Sequence, residues 1–274
     1  MSVSVVITIG LPIALFLIFR KKLNLKVLPM LFGIFGFVIF ALVLESMVHS
    51  LVIGKIIIKE NTPVLFIVYA IFMAGIFEES ARFISFKILK QKFKGIGTAL
   101  SYGVGHGGIE SILVAGVSLL FALVMGIMVN TGSVNLITDK LTGSSLTFIN
   151  SELSQLSSTP SYLFLISGLE RISAMAIQFS LSVLVFYAVY GKDKFWLYPL
   201  AIILHAIIDI PAAAGQAGIL KSIPVIEALV LICAVLMLIF ARYVHRSFAV
   251  DLVGDLKVES GAGEDPALDK GAGL

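Results

Sequence analysis

Glu78 and Arg82 stand four residues apart in the string FEESARF (Phe77 to Phe83), and the same spacing separates His106 from Glu110 and His205 from Asp209. On a helix, a spacing of four, or of three as between Glu79 and Arg82, puts two side chains on one face. Each string therefore offers a compact polar face. Carboxylates and imidazoles are the side chains that exchange protons with water, and both bind divalent ions. One arginine beside two carboxylates offsets only part of their charge.

The surroundings of these residues are apolar. Of 274 residues, 58% are hydrophobic and 14% charged, and the mean hydropathy is +1.04. That leaves too little polar surface for a soluble globule, so the chain is expected in a lipid bilayer, in the cell membrane. Seven charged residues (Glu78, Glu79, Arg82, Glu110, Glu170, Arg171, Asp209) and two histidines (His106, His205) fall inside apolar stretches. At the cost of a charged residue near a helix centre, the seven unpaired would cost about 20 kcal/mol. They must pair, neutralise or face water. Glu45, Glu227, His49 and His245 lie near stretch ends and read as interfacial.

The elements that must position them are seven apolar stretches near residues 2 to 19, 27 to 52, 62 to 88, 96 to 129, 162 to 190, 195 to 219 and 223 to 244. Each is long enough to cross about 30 Å of hydrocarbon as a helix. The expected fold is all-α: a polytopic transmembrane helix bundle in a single domain over residues 1–250. Residues 251–274, Gly-rich and acidic, are expected to form a disordered cytoplasmic tail. The fourth stretch is too long for one straight span, so a break or an extension is expected there. The four glycines of its SYGVGHGG string (Ser101 to Gly108) could kink the helix or admit a neighbouring helix closely. The Ser/Thr-rich stretch 130–161 is expected outside, as a cap or a connection.

Lys and Arg number twelve on one alternating set of connections and four on the other. By the positive-inside rule, the N-terminus is expected outside and the C-terminus in the cytoplasm. Counted from the cytoplasmic ends, Glu78, Glu79, His106 and His205 all lie about 15 Å deep. Three helices running in alternating directions have no trivial reason to carry such groups at one level. A shared site is expected, lining one water-accessible cavity open towards the cytoplasmic half.

FEESARF, the later YGVGHGGIES (Tyr102 to Ser111) and HAIID (His205 to Asp209) together resemble the three motifs of the superfamily that joins CAAX-type prenyl endopeptidases, PrsW-like proteases and the Aph subunit of gamma-secretase. Within it the resemblance extends to the bacterial YhfC family, over roughly residues 60 to 215. It implies a CAAX-protease-like core and intramembrane hydrolysis of a peptide bond in a membrane-associated protein or peptide. It further implies that Glu78 activates water with help from His106, while His205 and Asp209 stabilise the oxyanion or hold the water. Two residues, not three, separate Glu79 from Arg82, so the resemblance does not assign a prenylated substrate. The YhfC pattern carries His where this chain has Gln178.

The catalytic set expected is thus Glu78, Glu79, Arg82, His106, Glu110, His205 and Asp209, in a glutamic-type enzyme with no obligatory metal. The alternative is zinc on ligands drawn from His106, Glu110, His205 and Asp209, without an HExxH spacing. A single cysteine, Cys233, excludes disulfides and Cys-based zinc sites. Scattered basic clusters and a net charge of +3 give no case for nucleic acid. The sequence leaves the oligomeric state open. Two other functions use the same residue types: an ion- or proton-coupled transporter, and a non-catalytic scaffold for membrane helices. No internal repeat of the kind common in transporters is present.

Overall fold

Among the described residues of the computed structural model, seven helices are long and apolar enough to cross a bilayer: α1 Ser2–Lys22, α2 Val27–Val52, α3 Pro63–Leu89, α4 Gly97–Asn130, α6 Ser161–Tyr190, α7 Leu197–Gln216 and α8, whose spanning part is Ile223–Val250. A shorter surface helix, α5 Gly143–Ser158, precedes α6. The structure describes residues 1–53, 55–57 and 61–260, with the side chains of 251–260 excepted. The fold is an all-α membrane bundle, as the hydropathy pattern implied. Helix α8 continues to Ser260, past the boundary expected at 250; the rest of the expected tail, 261–274, lies outside the described residues.

Helix α6 is the axis of the bundle. Of its most apolar window 78% is buried, against 17–39% for the other spans. Leu181, Leu184, Val185, Phe186 and Tyr187 are at most 1% exposed and form the main core with Phe86, Tyr102 and Leu197. Leu17, Ile39, Leu236 and Ile239 point outwards, as they should where the solvent is hydrocarbon.

The fourth stretch does not break. It forms one helix of 34 residues, in which Ser111–Gly116 is wound as a π-helix. The wider turn absorbs extra residues without interrupting the helical hydrogen bonding, so no break is needed in the bilayer. A second π-wound stretch, Phe37–Glu45, lies in α2. Helix α4 is wedged between α2 and α6 by its glycines. A Cβ on Gly105 would collide with the Met30 carbonyl of α2, and one on Gly107 would lie 2.9 Å from Met175 Sδ and 3.0 Å from Gln178 Cβ of α6. His106 is held between these two contacts. The 130–161 stretch, expected as a connection or cap, is largely helical, with a short turn at Asn135–Thr138 followed by α5.

Candidate active site

The three polar faces converge. Helix α3 carries Glu78, Glu79 and Arg82 near its middle, all buried, with Glu79 and Arg82 at 0% exposure. Across from it, α4 presents His106, also fully buried. His106 Nε2 lies 2.8 Å from Glu78 Oε2, and its ring packs edge-on against Phe37 and is stacked by Tyr102. From α7, His205 Nδ1 lies 2.6 Å from Glu79 Oε1. His205 Nε2 is 3.4 Å from Asp209 Oδ2 and 3.9 Å from Glu78 Oε2.

Arg82 hydrogen-bonds Glu79 Oε1 through Nη1 and stands 3.7 Å from Glu78 Oε2 through Nη2. The guanidinium is thus tied mainly to Glu79. A buried charge is tolerable only when paired in this way. Glu110 joins the group from α4 through Gln178 of α6: Gln178 Nε2 donates to Glu110 Oε2 at 2.6 Å and lies 3.3 Å from Glu78 Oε2. All seven residues expected from sequence belong to one network. Gln178 stands at its centre, at the position where the resemblance implied His.

A cavity of about 340 Å³ opens beside the network, lined among others by Glu78, Glu110, His205, Asp209 and Gln178. Glu79, Arg82 and His106 stand behind its wall. The cavity extends along Ala70 and Ala74 of α3, Val114 of α4, Arg171 of α6 and Gln216 of α7, with Glu45 and His49 of α2. Those residues lead towards the ends of the helices joined by connections 53–62, 131–160 and 217–222. This is the less basic side, opposite the basic connections towards which the opening was expected. The depth argument located the shared level but carried no information on which side was left unpacked.

Several cavity residues were noted in the sequence as charged or interfacial but not placed in the expected catalytic set. Arg171 ion-pairs with Glu170 and lies 3.6 Å from Glu110. Glu45, read as interfacial, pairs with His49 at 3.2 Å, and His49 bonds Tyr69 at 2.9 Å. Adjacent opposite charges inside a span, as at Glu170–Arg171, were the signal available. Of the three π-wound stretches among the described residues, two abut the site: one follows Glu110, and another ends at Glu45; the third is Val6–Gly10 in α1.

The donor set fits a divalent ion. Ligand atoms of Glu78, His106 and Glu110 lie within 4.8 Å of one another, a nitrogen and two oxygens of the kinds zinc accepts at a three-ligand catalytic site. Of the four residues read as ligand candidates, His106 and Glu110 are in this group. His205 and Asp209 are outside it, because the His205 ring is held to Glu79, and Glu78 takes the third place.

The description YhfC intramembrane metalloprotease matches residues 6–230 of the chain. A curated relative, the uncharacterized membrane protein YhfC of Bacillus subtilis (strain 168), is 32% identical over 255 residues, covering 90% of this chain and 96% of that protein. No solved structure matches.

Proposed function

The chain belongs to the YhfC family, and we propose from that premise that it is an intramembrane endopeptidase hydrolysing a peptide bond of a membrane protein or peptide at Glu78. The observation that carries this reading is the 2.8 Å contact between Glu78 Oε2 and His106 Nε2 at the wall of a polar cavity inside a seven-helix membrane bundle. Peptide hydrolysis in hydrocarbon needs a water, a base and an oxyanion donor, none of which lipid supplies.

Glu78 faces the cavity and takes the proton of a water held there, then returns it to the leaving amine nitrogen as the C–N bond breaks. His106 orients the Glu78 carboxylate from behind the wall and meets substrate only through it. His205 donates Nδ1–H to Glu79, which fixes the ring. Its Nε2 carries a hydrogen for the developing oxyanion only in the doubly protonated ring. Glu79 and Arg82 hold this geometry.

Zinc held by Glu78, His106 and Glu110 would supply Lewis acidity towards the water and the scissile carbonyl. The ligand geometry and the family description favour this second reading of the same site. The two readings share Glu78 and His106 and differ in whether Glu78 takes the proton of the water or would hold the metal, and so in whether activity survives a chelator.

The twelve-to-four basic bias supports an N-terminus outside and a cytoplasmic C-terminus, in one transmembrane domain over 1–250. With that orientation, the cavity faces the outer half of the bilayer, and the scissile bond is cut there. The test is comparison of membrane proteomes of cells carrying wild-type protein and Glu78→Gln. A protein or peptide should accumulate uncut in the variant. Identical proteomes, with the purified wild type also inert on peptides in vesicles, would overturn the reading.

A further inference from the structure

A second cavity, of about 500 Å³, lies between the latter half of α4, the surface helix α5 and the first turns of α6. Its walls are mainly apolar, with Leu119, Phe121 and Met125 from α4, Leu156 from α5, and Leu163 and Phe164 from α6. It shares Val114 and Arg171 with the catalytic cavity, so the two lie on either side of those residues. Helix α5 covers it loosely: none of its residues is buried, and Phe148 is 57% exposed.

We propose that this second cavity binds an apolar segment of the membrane-protein substrate next to the scissile bond, and that the extended peptide passes Arg171 to reach Glu78. The proposal rests on the proteolytic reading of the first cavity. Its volume is that of a ligand site, and a space of that size left empty would forfeit the packing contacts of its walls.

Both a lipid chain and a peptide could fill the apolar part, and the polar groups decide between them. Arg171 lines both cavities, and its Nη1, which makes no hydrogen bond, is held only by the 3.6 Å ion pair with Glu110. Ser118 and Ser167 line the wall as well. An acyl chain brings nothing to these groups. An unwound peptide brings a carbonyl and an N–H at every residue, and each needs a partner at membrane depth. The junction therefore suits a peptide backbone. Helix α5, with so little packing to lose, is the element whose displacement would admit it.

The test uses full-length protein in phosphatidylcholine vesicles and two photoreactive probes. One is a Leu/Ala peptide of about 20 residues with lysine flanks and one diazirine leucine; the other is a phosphatidylcholine with a diazirine in its acyl chain. The peptide should label residues 114–125 or Leu156, and Leu156→Trp, on the surface helix, should cut that labelling about tenfold. Ala122→Trp fills the cavity from the opposite wall and should do the same, with each variant's fold checked by its unfolding temperature. Labelling of these residues by the phospholipid alone, or peptide labelling unchanged in both folded variants, would overturn the proposal. Glu78→Gln should leave labelling intact. If cleavage fails in the wild type while labelling persists, the protease reading falls and the binding site stands. If cleavage holds without labelling, the binding site falls.

Discussion

His205 Nδ1 lies 2.6 Å from Glu79 Oε1, and the same oxygen accepts the Arg82 guanidinium. Two adjacent glutamates of α3 thus face different tasks. Glu79, fully buried, ties a cation and a histidine ring together. Glu78 keeps part of its carboxylate on the cavity. Glu79→Gln removes the charge that neutralises Arg82 in a dry interior and should destabilise the fold by about 3–5 kcal/mol. Arg82→Ala should be similarly severe, through the orphaned carboxylate. Unfolding in detergent, followed by circular dichroism, measures both.

Glu78→Gln keeps the side chain's size and its contact with His106 but cannot take a proton. The variant should fold with near wild-type stability and lose roughly 10²–10⁴-fold in turnover. Stopped assays on a cleaved membrane peptide, with wild type alongside, measure it. Wild-type turnover in the purified variant would remove Glu78 from the role of base.

Metal content separates the two catalytic readings. If zinc sits on Glu78, His106 and Glu110, protein purified without chelator should carry it. His106→Ala and Glu110→Ala should each bind it at least about tenfold more weakly, while Asp209→Ala retains it. Elemental analysis of the four proteins decides the matter. Metal-free wild type whose activity resists chelator would leave the glutamic reading alone.

The residue spacing foretold the site better than it foretold the space around it. Period-four pairs on three apolar stretches identified Glu78, Arg82, His106, Glu110, His205 and Asp209, because a charge inside hydrocarbon needs a partner whatever the fold. The spans were legible for the same reason, since hydrocarbon thickness fixes helix length. The bridging of Glu110 to Glu78 through Gln178 was not legible. It depends on how closely α4 and α6 approach, which the glycines permit but do not specify. The π-wound stretch after Glu110 was also out of reach, because i,i+4 and i,i+5 winding differ by packing and not by composition.

The equally close approach of α4 to its other neighbour, α2, is testable at Gly105, where any Cβ would overlap the Met30 carbonyl. Gly105→Val should separate α2 from α4 and shift His106 away from Glu78. We expect a loss of at least about 1–3 kcal/mol, the usual range for overpacking, together with lower activity. Gly95→Val, at a glycine with open space around it, is the matched control and should cost little. Equal unfolding temperatures for the two variants would contradict the packing described for α2 and α4.

The side from which the cavity is reached is the last expectation, and the chain's single cysteine makes it measurable. Asp209 lines the cavity with its side chain 35% exposed, and the cavity walls lead from it towards Gln216 and the less basic connections. With Cys233→Ala as background, Asp209→Cys should react with a membrane-impermeant, positively charged thiol reagent added to intact cells. Its acidic neighbours Glu45, Glu78 and Glu110 favour such a reagent's approach. Lys92→Cys, in the basic connection between α3 and α4, should react only after the cells are opened. If Asp209→Cys instead shares the accessibility of Lys92→Cys, the cavity opens to the cytoplasm and the outer-leaflet cleavage proposed above fails. If both cysteines react from outside, the basic connections face outwards, and the positive-inside assignment of the termini fails with them.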